Sequence, residues 1–350
     1  MRSMAKRSSK GGKRREKRMA EKRVEQDKET MKRVADTTFY TLMPQLMKNV
    51  TLNIETGLRN ELGVKDLLTD YKSGEGRGKT NGDKYVLVVA AGPSIDMFGH
   101  LDMLKEYYKE RAFTIVAVDA IFDKLCKAGL YPDYVISADV QEETANFYRP
   151  LTVKKHRVNL IKNNTGFILM GNIDPSIMKL TEGLRRFFYW PTAPFGKNMD
   201  AGSMWDLMVP LGIVNPHGHV TGAALTIFAE LHPNVLALIG GDYSYMPGVH
   251  YEDTFWYKWL AIRGRTHEEI MDNLMPQMFE DRITGEEIMT DVPFIQYISF
   301  MFNWLESVRE QGGQINLTNC TGRGLFYDNE GLVPYVSFEK FLEGTYGTSD

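Results

Sequence analysis

Several short segments of this chain hold residue types that handle anions and metal ions. In Ala90-Ala91-Gly92-Pro93-Ser94-Ile95-Asp96, the glycine allows close backbone approach, and Ser94 or Asp96 can cap a following helix. A strand, a tight turn and a helix N-terminus together offer free N–H groups to an anion, of which phosphate is the commonest. Ala91, Gly92, Pro93 and Ser94 are therefore candidate nucleotide-phosphate contacts. The alternative is an ordinary strand-to-helix turn.

Carboxylates recur at the same kind of place. Asp119 follows the apolar run Phe113–Val118, Asp139 ends Tyr131–Asp139, and Asp242 follows Asn234–Ile239 through Gly240 and Gly241. Two carboxylates beside a phosphate loop suit a magnesium-bound nucleotide. Asp119, Asp139 and Asp242 are thus candidate metal ligands, and Asp119, Gly240 and Gly241 candidate nucleotide contacts. The competing role for the aspartates is to cap helices or turns.

His217-Gly218-His219 stands just before a small-residue apolar stretch, and His250 follows the Asp242 loop. A histidine at such a point can pair with a phosphate or move a proton, so His219 and His250 join Asp242 as candidate catalytic residues. Tyr243 and Tyr245 can stack on a planar ring or pack in the core. Lys197, Asn198, Asn316, Thr318 and Thr321 are polar residues near predicted element ends, without a spacing argument.

The elements that must position these groups alternate. Strands are predicted at the apolar start of Tyr85–Asp96 and over Phe113–Val118, Tyr131–Asp139, Val158–Ile161, Arg186–Trp190, Asn234–Ile239 and Gln314–Thr318. Helical spacing of Ile121, Phe122, Leu125 and Cys126 predicts a helix ended by Gly129, and Val220–Leu231 reads as a buried helix. Strands alternating with helices predict a Rossmann-like α/β fold, with a doubly wound and mostly parallel sheet. In such sheets ligands bind at the carboxyl ends of the strands. Apolar residues Phe39, Leu42, Leu46, Val50 and Ile54 predict a helical extension before it, over about 36–71. Residues 253–289 read as a charged, aromatic and helical insertion, and Val292–Arg309 as a further helix.

The expected organisation is a basic arm over 1–35, a helical lead-in and linker over 36–83, a domain over 84–342, and a tail over 343–350. The arm carries Lys13, Arg14, Arg15, Lys17, Arg18, Lys22 and Arg23 with few apolar residues, which suits a solvated tail or contact with nucleic acid or an acidic partner. With 350 residues the chain can bury a full core. No long apolar run predicts a membrane span, and the arm lacks a signal peptide's apolar centre. The two cysteines, Cys126 and Cys320, imply no disulfide framework, so a cytoplasmic location is expected.

Val88–Ser94, Val118-Asp119, Pro132–Asp139 and Ile239–Asp242, in this order, resemble the archaeal 6-hydroxymethylpterin diphosphokinase (MptE-like) domain. Ile315–Thr318 followed by Val336–Glu339 is similar to the end of that domain. Gly241 departs from the family, which more often has glutamine there, and His217 and His219 stand where small residues are usual. The superfamily includes motility-associated glycosyltransferases, and the Gly-Pro-Ser loop is also similar to the nucleotide loop of bacterial sialyltransferases. The resemblance implies a nucleotide-using transferase. In one form, ATP and Mg²⁺ deliver diphosphate to a hydroxymethyl acceptor. In another, a CMP-activated nonulosonic sugar is the donor, with His219 or His250 assisting proton transfer. A third reading is a non-catalytic nucleotide-binding module docked by its basic arm. The oligomeric state stays open.

Overall fold

The computed structural model describes residues 44–55, 58, 61–73, 85–153, 155–191, 211–281, 283–328 and 331–346. The basic arm, Lys197 and Asn198 lie outside the described residues.

Among the described residues, eight strands form one parallel sheet in the order β10-β7-β1-β2-β3-β4-β5-β6. They are β1 (Tyr85–Val89), β2 (Thr114–Val118), β3 (Tyr134–Ser137), β4 (Gly166–Met170), β5 (Arg186–Pro191), β6 (Ile213–Val214), β7 (Val235–Ile239) and β10 (Leu317–Asn319). The apolar runs Val86–Val89, Thr114–Val118 and Leu236–Ile239 are buried throughout. Strands covered on both faces read as continuous hydrophobic segments, which is why they were legible.

The described helices begin with α1 (44–55), α2 (Val64–Ser73), α3 (Ser94–Met97), α4 (His100–Tyr107), α5 (Asp119–Lys127), α6 (Lys155–Asn164) and α7 (Pro175–Leu180). They continue with α8 (Val220–Ala229), α9 (Phe255–Ile262), α10 (His267–Leu274), α11 (Val292–Glu310) and α12 (Phe338–Tyr346). Helix α8 packs on β1, β2 and β3. Its residues Gly222, Ala223 and Ala224 are buried. A Cβ on Gly222 would lie 2.4 Å from the Pro216 carbonyl oxygen, so only glycine permits this approach.

Helix α1 is fastened by two buried asparagines one turn apart. Asn49 Nδ2 donates to the carbonyls of Val140 (2.8 Å) and Asn172 (3.2 Å). Asn53 Nδ2 donates to those of Gly171 (3.1 Å) and Ile173 (2.9 Å). These loops follow β3 and β4, so the lead-in covers the carboxyl edge of that half of the sheet. Leu46 and Val50 supply its apolar contact.

Four expectations are corrected. Val158–Ile161 is helical, within α6, and the strand there is Gly166–Met170. Charged neighbours leave Ile161 as the one buried residue of α6, whereas Gly166–Met170 is buried throughout. The helix over 36–71 is broken within its described part. Gly63 bridges to Phe188 at β5, and its Cβ would meet the Leu211 carbonyl at 2.4 Å. The insertion is only partly helical: β8 (Gln277–Glu280) and β9 (Glu287–Thr290) form an antiparallel hairpin after α10. Gly285 takes φ 72° in its turn, and in β9 Ile288 and Thr290 are buried while Glu287 is exposed and Met289 half-buried. Finally, the late strand is Leu317–Asn319, which leaves Gln314–Asn316 before it. Among the described residues, no helix is long and apolar enough to cross a membrane.

Candidate functional site

The chain adds β2 to β6 outward on one side of β1, then returns to place β7 on the other. The β1/β7 boundary is therefore the topological switch point, the place where open parallel sheets bind ligands. The Gly92 and Asp242 loops meet there. Gly92 N donates to the Gly240 carbonyl at 2.9 Å, and Gly240 adopts φ 72°. A Cβ on Gly92 would sit 2.1 Å from Asp242 Oδ2.

Asp242 is buried and accepts from Ser94 twice, Oδ1 from its backbone N–H (3.1 Å) and Oδ2 from its hydroxyl (2.6 Å). The expected cap role of Ser94 or Asp96 is thereby corrected. Pro93 is the N-cap of α3 without a side-chain bond, Ser94 turns inward to Asp242, and Asp96 pairs with Lys124. Instead of a free anion site, the turn holds the protein's own carboxylate. Burial pushes Asp242 up to about 6, against the Ser94 hydroxyl and the nearby Arg323 charge, which favour its ionised form. Ala91 is exposed, and Gly92 and Pro93 half-buried, above this pair. Gly241 N donates to Thr321 Oγ1 at 3.1 Å, which brings Thr321 into the same loop cluster.

A second aspartate–serine pair spans β2 and β3. Asp119 opens α5, accepts the Ser137 hydroxyl through Oδ2, and takes the Ala120 N–H at 2.8 Å through Oδ1. Its carboxyl is pushed up to about 7, first by burial and further by the Asp139 charge, while the Ser137 bond opposes. Asp139 is half-buried, accepts the Gln141 N–H at 3.1 Å, and is raised by burial. The folded state thus keeps the Asp119 proton to about pH 7, whereas the unfolded chain releases it near 3.8. The stability from this group is present below about pH 4 and is lost as pH rises through about 7. Asp119→Asn is therefore expected to raise the melting temperature at pH 8 and flatten its fall between pH 4 and 8, as followed by thermal melts. An unchanged pH profile in the variant would refute this account.

The histidine pair forms a third cluster. His219 is the N-cap residue of α8, stacks on Tyr297 (4.7 Å, 10°), and has both ring nitrogens engaged. Nδ1 lies 3.1 Å from the His217 carbonyl oxygen, and Nε2 lies 2.7 Å from the Tyr243 hydroxyl. A carbonyl can only accept, so Nδ1 carries the proton and Nε2 accepts from Tyr243. Burial lowers His219 to about 4, leaving it a neutral proton acceptor at physiological pH. His217 is also lowered to about 4 by burial and lies against Trp304. Tyr245 donates to Asp291, together with Tyr251 (3.1 Å), and so serves the packing of the insertion.

His250 is exposed at the start of the turn Tyr251–Asp253 and has no hydrogen bond tying it to these clusters. Asn316 lies before β10, at the sheet's amino end, and lines a groove of about 530 Å³ with Arg309, Gln314 and Leu332. Thr318 lies inside β10 and lines the same groove. Sequence reasoning missed Ser137, Tyr297 and Arg323. The first two are ordinary strand and helix positions. The Gly322-Arg323-Gly324 turn, with φ 85° and 103° at its glycines, was visible as one more strand-end glycine loop.

The donor set of the described residues forms no all-protein cage for a magnesium ion, which ordinarily takes one or two carboxylates together with substrate phosphates. Among the described residues no three His, Cys, Asp or Glu side chains group to hold a metal. Both Asp242 oxygens are taken by Ser94 beside a cation, and both Asp119 oxygens accept protein donors.

A family model described as 6-hydroxymethylpterin diphosphokinase MptE-like matches residues 48–248, from α1 through the Asp242 loop. No curated protein matches the sequence. Among solved structures, the "Structure of MAf glycosyltransferase from Magnetospirillum magneticum AMB-1" is similar with a TM-score of 0.50 and 15% identity. The match covers 74% of this chain and 34% of that one, so this chain spans about a third of that protein's length. At this identity the likeness is one of fold.

Proposed function

The chain belongs to the 6-hydroxymethylpterin diphosphokinase MptE-like family, and from that premise we propose a nucleotide-dependent group transferase acting at the β1/β7 boundary. One observation carries the placement: loops from β1, β7 and β10 interlock at the switch point around a buried Ser94–Asp242 pair. Open parallel sheets bind ligands there. The family description favours diphosphate transfer from ATP to a hydroxymethyl acceptor. In that reaction the acceptor oxygen attacks the β-phosphorus and AMP leaves. This chain's part is positioning and proton handling. The nucleotide lies over Ala91–Pro93. Tyr243 takes the acceptor's proton as its own passes to His219 Nε2.

A second reading is glycosyl transfer from a CMP-activated sugar. The His219–Tyr243 pair favours it, being a proton acceptor that works without a metal. The MAf glycosyltransferase shares the fold.

Thermal-shift measurements on the full chain with ATP, GTP and CMP, each with and without Mg²⁺, separate these readings, because a ligand of the folded state raises its melting temperature. Stabilisation by ATP, followed by AMP release with a hydroxymethylpterin, is the expected result. Stabilisation by CMP alone selects sugar transfer. No shift with any nucleotide overturns both. His219→Gln is expected to lower the turnover rate by about 10²–10⁴-fold while leaving nucleotide affinity unchanged. An unaltered rate would remove His219 from the mechanism.

A further inference from the structure

Arg323 is fully buried, yet its donors are poorly used. A guanidinium offers five N–H donors and keeps its charge in proteins. Here Nη1 donates to the Met97 thioether at 3.1 Å, and Nη2 reaches the Tyr245 carbonyl at 3.5 Å. Among the described residues Nε has no hydrogen-bond partner, and it lies 3.9 Å from Asp242 Oδ1, beyond hydrogen-bond distance. Asp242 is already occupied by two Ser94 donors. Thioether sulfur is a weak acceptor, so a buried cation is left with an incomplete set of oxygen partners.

The cover over this cation is movable. Met97 is 39% exposed and lies at the end of α3, a single turn of helix. Methionine has three rotatable bonds and re-packs readily. On the other side the chain is rigid. Gly322 and Gly324 take positive φ, and a Cβ on Gly324 would lie 2.2 Å from the Asp242 carbonyl oxygen. The backbone thus presents Arg323 from a fixed turn towards a flexible thioether.

We propose that Arg323 is the phosphoryl-oxyanion-binding residue of this site and that Met97 is its displaceable cover. An oxyanion displaces the Met97 sulfur from Nη1 and takes the donors that now lack oxygen partners. Planar guanidinium forks match phosphate geometry, and such charge-assisted pairs are the strong ones. The proposal rests on the reading of this edge as a nucleotide-dependent transferase site, and it names the residue that would grip the donor's phosphates.

Calorimetric titration of the full chain with inorganic pyrophosphate tests it, with acetate in a parallel arm. Wild-type protein is expected to bind pyrophosphate, and Arg323→Lys to bind it about tenfold or more weakly while still melting cooperatively. Met97→Ala is expected to bind several-fold more tightly, since the cover is gone. Equal affinity in wild type and Arg323→Lys, or no wild-type binding at millimolar concentrations, overturns the proposal. Arg323-dependent binding of acetate without pyrophosphate overturns the phosphoryl assignment. Should Arg323→Lys not fold, Met97→Ala decides by itself, and an unchanged affinity counts against the cover. Nucleotide stabilisation that persists undiminished in Arg323→Lys defeats this inference but not the transferase reading. Arg323-dependent pyrophosphate binding without nucleotide stabilisation does the reverse.

Discussion

Asp242→Ala is expected to destabilise the protein by about 3–5 kcal/mol and to abolish transfer activity. The substitution removes the acceptor of the Ser94 N–H and hydroxyl, which are bonded at 3.1 and 2.6 Å. It also leaves Arg323 without its counter-charge in a fully buried position. An uncompensated buried charge dominates the other terms, because single lost hydrogen bonds contribute about 1 kcal/mol each. Asp242→Asn keeps the shape and one acceptor oxygen, so it should retain more stability than the alanine variant and still lose the charge. Urea unfolding of the three proteins measures the order. An alanine variant within about 0.5 kcal/mol of wild type would mean that this cluster does not hold the β1/β7 boundary together.

Gly92→Ala is the second large effect. The added methyl would lie 2.1 Å from Asp242 Oδ2 and 2.4 Å from the Gly240 carbonyl oxygen. Neither neighbour can yield cheaply, because Asp242 is pinned by Ser94 and the Gly240 carbonyl accepts the Gly92 N–H. Overpacking of this kind destabilises by about 1–3 kcal/mol, sometimes more. The same shift would drive the β1 and β7 loops apart and cost nucleotide affinity. Gly344→Ala is the matched control. It lies in α12 with nothing within 4 Å of its Cβ, and should be neutral or stabilising by up to about 1 kcal/mol. Equal melting temperatures for Gly92→Ala and wild type would show that the two loops are not in contact in solution.

Most strands and their end residues were legible because burial on both faces demands uninterrupted apolar runs, as in Tyr85–Val89 and Val235–Ile239, while β4 and β6 were not read. Helix α8 was legible from its small and apolar composition. Short patterns failed where periodicity is ambiguous. Val158–Ile161 has four residues, too few to separate a strand from one helical turn. The β8–β9 hairpin was hidden because β8 is exposed throughout and so shows no apolar alternation. Buried Arg323 was missed because arginine is rarely fully buried, and composition carries no record of an exception.

The sequence by itself determined most of the parallel strands, though not β4 or β6, and that Ser94, Asp119, Asp139 and Asp242 stand at strand carboxyl ends or just beyond. Those properties follow from local chemistry: apolar runs seek burial, and glycine and small residues form the turns. Only the tertiary structure decided which ends meet. Ser94 and Asp242 are 148 residues apart and touch because β7 returns beside β1. Asp119 pairs with Ser137 because β3 lies beside β2. Strand order is set by how crossover helices pack on the two faces of the sheet, an energy spread over the whole core. No local spacing encodes it, and so Asp242 and Asp119 are closed onto serines, while Asp139 meets the Gln141 N–H in its own loop.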